Sequence, residues 1–487
     1  MKLSGKVPGV HWRFSRANFL EIHRLKPETI VRRLVVMPVS PLDYRYGRDI
    51  AKEIWSREGR HARSLEVERA LIWAHSKMGR VSPEDYDAVA EISDPGIVTA
   101  DRVDELEAET KHDIMALTKA MAEAAGDAGW CIHLGATSND IVDSAVALQI
   151  RDSIDVQRQS LVGLILNMCG IAERESGTVM LGRTHGQAAV PITFGLKVAV
   201  WVDEMRRHLV RLEEMRPRCI TGKFLGAVGT GAAQGEGALE LQSLILGELG
   251  LEVPVATTQV VGRDRYIEWV GWMANVATSI EKILQEVRNL QRTEIGEVAE
   301  EFDAKKQVGS STMAHKKNPI TAENACGLAR VVRSMIMPSY ENALLWHERD
   351  LANSSSERFT LSHSMILLDD VISKCDKVLS GLVVDRDRMR KNIEDQKGLI
   401  MAEKVMLELV DRGMARDRAH EELRSASMQA VESGSNLQEI CRNSDGIMKF
   451  FEEEEVADLF APESHLGSSE QIVDNSVSMA RELCSKY

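Results

Sequence analysis

Cysteine is scarce in this 487-residue sequence, and its placement excludes two kinds of scaffold. The seven cysteines are odd in number and widely spaced, and none belongs to a CxxC pair. Disulfide frameworks and structural zinc sites depend on such pairing. We therefore expect reduced thiols, a cytoplasmic location and no metal site.

Proline and aromatic residues are also few, which favours helices. The twelve prolines leave long proline-free windows at 96–190, 255–318 and 339–461, and aromatic residues make up only 5% of the chain. Proline-free segments rich in Ala, Leu, Glu and Arg are typical of helices. No apolar run approaches the roughly 18–20 residues that span a bilayer. The composition predicts an all-α protein without a membrane segment.

The charge is acidic overall and unevenly distributed. The net charge is −14, but residues 1–36 contain eight Lys or Arg and two Glu, which leaves about −20 on the remainder. An acidic body argues against general binding to nucleic acid. The basic stretch lacks the apolar core of a secretory signal, and Met37 opens a segment that reads like a natural start. The stretch could be a tail, an organellar transit segment or untranslated sequence included by a wrong choice of start, and we expect 1–36 to be a dispensable extension.

Apolar residues recur three and four positions apart along several long segments, which predicts helices packed in a bundle. The clearest runs from about Tyr266 to Glu300, with the stripe Trp269, Met273, Val276, Ile280, Ile283, Val287 and Leu290. Further helices are predicted at about 141–175, from Pro191 to about Met215, on both sides of Pro338, and at about 360–382. We place helical domains at 37–140, 141–385 and 386–487, the second being a central long-helix bundle.

A loop at 302–319 ends in the most specific motif of the chain, GSSTMAHKKNP, from Gly309 to Pro319. Gly309 gives the backbone freedom, and successive amide groups can converge on an anion. Lys316 adds a mobile positive charge, and Pro319 suits the first turn of a following helix. Such a loop suits chemistry in which negative charge develops beside a hydroxyl. A solvated, lysine-rich turn is the structural alternative.

Two other motifs contain groups that can do chemistry. His185 stands in the motif RTHGQ just before a predicted helix, and a histidine there can donate a proton near pH 7. Arg349 and Arg358 are nine residues apart with serines between them, so their guanidinium groups could bind a phosphate. Taken singly, the histidine could instead cap a helix, and each arginine could form a surface salt bridge.

The loop motif resembles the signature loop of the fumarase/aspartase superfamily, whose members are homotetrameric α-helical lyases that release fumarate from a succinyl group. The resemblance implies that Ser310 is the general base and that Lys316 and Asn318 hold a substrate carboxylate. The proline usual after Met313 is Ala314 here, which should make the loop less stiff. A three-domain lyase fold with a tetrameric core, and active sites shared between subunits, are also implied.

The remaining motifs fit the same resemblance. In the similar enzymes, the histidine matched by His185 is the general acid that protonates the departing nitrogen, and the glutamate matched by Glu323 orients it. A His-Asp pair near the leaving base matches His112 and Asp113, which makes His112 a further catalytic candidate. Thr137 and Ser138 match positions that bind the succinyl carboxylates in the similar enzymes. Thr184, which precedes His185, matches a further position that binds substrate.

The run WHERDLANSSSER, from Trp346 to Arg358, resembles the adenylosuccinate lyase family more closely than the fumarases, aspartases or argininosuccinate lyases. The resemblance assigns the nucleotide and its phosphate to Arg349, Ser354 and Arg358. Further family segments imply three more substrate contacts at Arg45, Tyr46 and Gln259. Lys223, in a GKxxGAVGT turn, ranks below these.

This resemblance implies a cofactor-free enzyme of purine nucleotide biosynthesis that cleaves adenylosuccinate to AMP and fumarate. It implies the same cleavage of the succinylcarboxamide imidazole ribotide (SAICAR) to its carboxamide (AICAR) and fumarate. An argininosuccinate lyase or a carboxymuconate cycloisomerase would share the loop but would not need Arg349 and Arg358. A catalytically silent structural protein on this scaffold, like certain lens crystallins, is the alternative from another class. Retention of Ser310 and His185 argues against it.

Overall fold

The computed structural model describes residues 39–301, 313 and 316–487. The predicted extension 1–36 and the predicted base Ser310 lie outside the described residues, as does Ala314. The chain divides into two compact units, residues 1–46 and 47–487. The described part of the first contains the short helix α1 (Pro41–Tyr44), whose first turn is capped by Ser40 Oγ accepting from Leu42 N at 3.3 Å.

The second unit is built mainly of α-helices, which confirms the predicted all-α class. From Asp49 to Leu290 these are α2 (Asp49–Trp55), α3 (Arg57–Lys77), α4 (Pro83–Ile92), α5 (Ala100–Thr110), α6 (Asp113–Ala125), α7 (Ser138–Arg174), α8 (Phe194–Cys219), α9 (Ala238–Glu248) and α10 (Asp264–Leu290). There follow α11 (Ile320–Ser334), α12 (Ile336–Glu341), α13 (Ala352–Ser380), α14 (Arg386–Glu394), α15 (Ala402–Asp411), α16 (Arg416–Ser433), α17 (Leu437–Arg442), α18 (Asp445–Met448), α19 (Glu455–Leu459) and α20 (Ser469–Cys484).

The strands of the described residues form two small antiparallel sheets. One is the hairpin of β1 (Val179–Thr184) and β2 (Gln187–Thr193), and the other pairs β3 (Val298–Ala299) with β4 (Val383–Val384). Short 3₁₀ turns occur at Gly126–Cys131, Gly226–Val228, Ala232–Gln234, Leu399–Met401 and Pro462–His465.

The longest helices pack against one another and form the core. α7 packs on α3, α8 and α13, while α10 packs on α8, α11 and α13. The predicted stripe on α10 is buried along its length, from Trp269 at 0% exposure to Leu290 at 2%. Each large apolar side chain so buried stabilises the fold by about 1.5–3 kcal/mol. The stripe therefore holds the bundle together, as the sequence predicts.

The prediction that the α10 helix continues to Glu300 is wrong. The helix ends at Leu290, because Gly296 adopts a left-handed φ of +67° and Glu297 N donates back to Leu290 O at 2.9 Å. Glu297 is fully buried and binds Arg183 with an Oε1–Nη2 distance of 2.7 Å. An ion pair between this buried carboxylate and the partly exposed Arg183 thus fixes the chain where it leaves the bundle.

Proline is a poor marker of helix ends at three positions. Pro191 does not begin a helix but lies in β2 opposite Leu181, and α8 begins at Phe194. A two-stranded sheet has open edges, so the missing N–H of proline is tolerated there. Pro217 lies inside α8 near its end, and Pro338 lies in the first turn of α12, where an N–H has no helical partner in any case.

Residues after β4 form smaller helices, several of which share an apolar cluster of their own. The cluster includes Leu409, Leu423, Leu437 and Phe451. Gly413, with φ of +101°, separates α15 from α16. The domain boundaries after residues 140 and 385 stay a prediction.

All seven cysteines are buried and free. Within 39–301 and 316–487, no helix combines the length and the apolar character that crossing a membrane requires. The same described segments contain no group of three or more His, Cys, Asp or Glu side chains that could hold a metal ion.

Candidate active site

Six of the predicted site residues line one cavity of about 300 Å³, which we call the arginine cavity. They are His112, Asp113, Ser138, Arg349, Ser354 and Arg358. The starts of α6 and α7, and the segment entering α13, supply them. Arg263, which immediately precedes α10, also lines this cavity. The arginine cavity therefore lies at the N-terminal end of α10.

His112 is oriented by a helix cap. It precedes α6, and its Nδ1 accepts a hydrogen bond from Met115 N at 3.3 Å. An accepting Nδ1 carries no proton, so the neutral ring holds its proton on Nε2. Nε2 lies 3.4 Å from Ser138 Oγ. The cap thus fixes the tautomer that presents an N–H group beside Ser138.

A buried ion pair holds the loop that precedes α7. Thr137 N donates to Asp140 Oδ2 at 2.8 Å, and Lys223 Nζ donates to Asp140 Oδ1. The side chains of Asp140 and Lys223 are 1% and 0% exposed. Burial raises the pKa of Asp140, and Lys223 opposes that rise. Lys223 therefore supports Thr137 and Ser138 from inside the protein and is not a wall of the arginine cavity.

The predicted phosphate arginines have few protein partners. Arg349 Nη1 donates to Gln259 Oε1 at 3.0 Å, and its buried Nε has no partner among the described residues. Arg358 Nη2 lies 3.9 Å from Asp113 Oδ2. These contacts, to a neutral amide and to a carboxylate 3.9 Å away, leave guanidinium N–H groups able to bind an anionic ligand. The contact with Arg349 also places Gln259 next to the arginine cavity.

Three other predicted residues, Lys316, Asn318 and Glu323, line a second cavity of about 920 Å³, which we call the lysine cavity. Its walls include the last turn of α10 and the start of α11. Additional positive charge comes from Arg288, Arg292 and Arg330. The lysine cavity is therefore also suited to an anionic ligand, and it lies at the C-terminal end of α10.

The two cavities are separated by the length of a helix. α10 has 27 residues, and at 1.5 Å per residue it spans about 40 Å. The cavities have no lining residue in common. A single chain therefore does not bring Lys316 within reach of His112.

His185 lies at the tip of the β1–β2 hairpin and not at the start of a helix. Its φ is +54° and that of Gly186 is +73°, the pair of left-handed residues that closes a two-residue hairpin loop. Such a φ is unusual for histidine and marks a position under constraint. Thr184 and His185 are exposed, and neither lines the two cavities described above.

Two predicted substrate contacts fall in the first unit, and the predicted base lies outside the described residues. Arg45 and Tyr46 adjoin each other there, with Arg45 Nε donating to Tyr46 Oη at 3.3 Å. Ser310 belongs to the part of the loop that is not described.

Sequence reasoning missed several cationic side chains of both cavities. Arg60 and Lys111 line the arginine cavity, while Arg288, Arg292 and Arg330 line the lysine cavity. Each is a single charge in an ordinary helical or turn segment, so the sequence holds no signal that separates them from solvated surface charges.

Two family models match most of the chain. The model described as "Lyase" matches residues 44–334, and that described as "Adenylosuccinate lyase C-terminus" matches residues 398–476. The second model covers the smaller helices that follow the bundle.

Similar proteins of known name extend the match over almost the whole chain. An adenylosuccinate lyase of Pyrococcus abyssi is 44% identical over 92% of this chain and 99% of its own length. One from Archaeoglobus fulgidus is 44% identical over 92% of this chain and all of its own. One from Aquifex aeolicus is 39% identical over 88% of this chain and 98% of its own.

Solved structures of related lyases share the fold. A fumarate lyase from Mesorhizobium sp. BNC1 superposes with a TM-score of 0.82 at 30% identity, over 91% of this chain and 100% of that one. The 3-carboxy-cis,cis-muconate lactonizing enzyme from Pseudomonas putida gives a TM-score of 0.83 at 30% identity, over 91% and 99%. These likenesses confirm the all-α lyase fold. With its near-complete match to several adenylosuccinate lyases, the chain belongs to the adenylosuccinate lyase family of the fumarase/aspartase superfamily.

Proposed function

We propose that this protein is a carbon–nitrogen lyase that cleaves adenylosuccinate to AMP and fumarate. The observation that carries the proposal is the arginine cavity, where His112 and Ser138 adjoin Arg349 and Arg358. A nucleotide phosphate needs guanidinium donors, which Arg349 and Arg358 supply, and His112 is then placed near the departing base. The similarity to adenylosuccinate lyases along most of the chain supports the same substrate.

The proposed reaction is an anti β-elimination without a metal or redox cofactor. Ser310, as an alkoxide, removes the proton from the carbon beside a succinyl carboxylate, and an aci-carboxylate forms. Lys316 and Asn318 bind that carboxylate, and one preorganised donor to such a developing charge is worth about 3–4 kcal/mol. His185, oriented by Glu323, protonates the nitrogen as the C–N bond breaks.

We further propose a homotetramer in which each active site takes residues from several subunits. The support is geometric: α10 separates the arginine cavity from the lysine cavity by about 40 Å within one chain, and closed symmetric assembly can bring the opposite ends of neighbouring copies together. The exposed hairpin tip with His185 is free to enter a neighbour's cavity in such an assembly.

The same site suits a second substrate. SAICAR carries the same succinyl group and the same phosphate as adenylosuccinate, so its cleavage to AICAR and fumarate needs no additional residue. We place both reactions in the cytoplasm, because a chain with seven free, buried cysteines is typical of a reducing compartment.

A substrate panel tests the proposed function. We expect the purified protein to change the ultraviolet absorbance of adenylosuccinate and to release fumarate from it. It should leave argininosuccinate and 3-carboxy-cis,cis-muconate unchanged. Turnover of either of those compounds alone would favour another superfamily activity, and a folded protein that turns over none would favour a structural role.

A further inference from the structure

The side chain of Arg60 lies at the edge of the arginine cavity and has no role in the reaction as described above. It projects from the first turn of α3 and lines both the arginine cavity and a neighbouring cavity of about 390 Å³. Asp113, Ser354 and Arg358 line both spaces as well. Arg60 therefore stands at the boundary between them, on the wall that also contains the predicted phosphate residues.

At this boundary, one carboxylate lies close to two arginines. Arg60 Nη2 lies 3.4 Å from Asp113 Oδ2, and Arg358 Nη2 lies 3.9 Å from the same oxygen. A guanidinium group has five N–H donors, and within 39–301 and 316–487 the carboxylate that these two share is the loosely held Asp113. Arg263 on the same cavity differs, because Asp143 and Glu357 each bind it at 2.8 Å. The positive charge of Arg60 and Arg358 is thus incompletely neutralised.

The surroundings of Arg60 leave room for an additional anion. Burial lowers the pKa of Arg60, and the nearby charge of Arg358 lowers it further. The guanidinium nevertheless stays protonated near neutral pH. Arg60 is partly buried, whereas the Arg358 side chain is 61% exposed, and the repulsion between the two cations is relieved when a dianion lies between them. Asp113 and Glu107 oppose the lowering of the Arg60 pKa, and Lys111 adds a further positive charge to the wall of the cavity.

Neighbouring arginines on α3 show that this arrangement is specific to Arg60. One turn earlier, Arg57 binds Asp101 and Asp104 at 2.8 and 2.6 Å. One turn later, Arg63 is held by Glu66 at 2.5 Å and by a second carboxylate. Both are paired with carboxylates outside the arginine cavity.

We propose that Arg60 is a third arginine of the anion site and that it binds the same phosphate group as Arg349 and Arg358. The proposal rests on the proposed function, in which that phosphate belongs to the nucleotide. On binding, the phosphate takes the place of Asp113 as the main acceptor for Arg60. Arg60 thereby contributes to specificity for a nucleotide over a nucleoside.

The test compares two competitive inhibitors, AMP and adenosine, with wild-type protein and the variants Arg60→Gln and Arg57→Gln. We expect Arg60→Gln to weaken inhibition by AMP about tenfold or more, as for a lost charge-assisted contact, and to leave inhibition by adenosine within about twofold. Arg57→Gln, the matched control, should change neither. Unchanged AMP inhibition in Arg60→Gln, or an equal loss for both inhibitors, would overturn the proposal.

If Arg60→Gln does not fold, the variant Arg60→Lys tests whether Arg60 binds the phosphate. Lysine keeps the charge but cannot form the paired contacts of a guanidinium. An AMP-specific loss of about threefold or more supports the proposal, and AMP inhibition equal to wild type refutes it. Wild-type protein that releases no fumarate from adenylosuccinate would instead refute the proposed function, which is a separate outcome.

Discussion

Residues at opposite ends of α10 should complement each other between subunits. His112 lies in the arginine cavity and Lys316 in the lysine cavity, about 40 Å apart along one chain. If the active site is shared, each site draws these residues from different chains. We therefore expect His112→Ala and Lys316→Ala to be nearly inactive alone and to regain activity when co-assembled.

The size of the recovery follows from random mixing. In tetramers formed from equal amounts of the two variants, a site receives an intact His112 with a probability of one half and an intact Lys316 with a probability of one half. Roughly a quarter of all sites are then complete. Fumarate release by mixed tetramers, purified through two different affinity tags, should reach about a quarter of the wild-type rate.

A pair of variants from the same cavity is the matched control. Lys316 and Glu323 both line the lysine cavity of one chain, so a subunit with either change presents a damaged surface. Lys316→Ala mixed with Glu323→Gln should recover no activity. No recovery with the His112→Ala and Lys316→Ala pair in proven mixed tetramers would refute the shared site.

Other expected results concern stability, pH and catalysis. Lys223→Met leaves the buried Asp140 without its partner and should lower the free energy of unfolding by about 3–5 kcal/mol in chemical denaturation. His208 is buried, and burial with nearby Arg211 lowers its pKa to about 4. Since its ordinary value is 6.5, the unfolded chain binds the proton more tightly, and stability should fall by up to about 3 kcal/mol as pH drops from 6.5 to 4; His208→Gln should show a shallower fall. A mixture of His185→Ala and Ser310→Ala should recover part of the activity that each variant lacks.

The long helices are predictable because their cause is local. A stripe such as Trp269 to Leu290 repeats every three or four residues, and only a buried helix face satisfies that spacing. The end of α10 is not predictable in the same way. It depends on Glu297 finding Arg183 from a distant hairpin and on the left-handed turn at Gly296, so tertiary contacts override a helical pattern.

The candidate site is only partly accessible from sequence. Motif resemblance selects His112, Ser138 and Arg358, and the structure places them on one cavity. Motif resemblance could not select Arg60. Arg57, Arg60 and Arg63 follow one another at three-residue spacing on α3, and only their contacts in the folded protein distinguish Arg60 from the other two. The hairpin that holds His185 was also missed, since two left-handed residues at its tip give no periodic signal.

A crystal structure of the protein with AMP and fumarate bound tests the account most directly. We predict that the phosphate of AMP lies between Arg349 and Arg358 of one subunit, while fumarate contacts Lys316 and His185 contributed by other subunits. AMP and fumarate held entirely by residues of one chain, or bound away from the arginine cavity, would contradict the account.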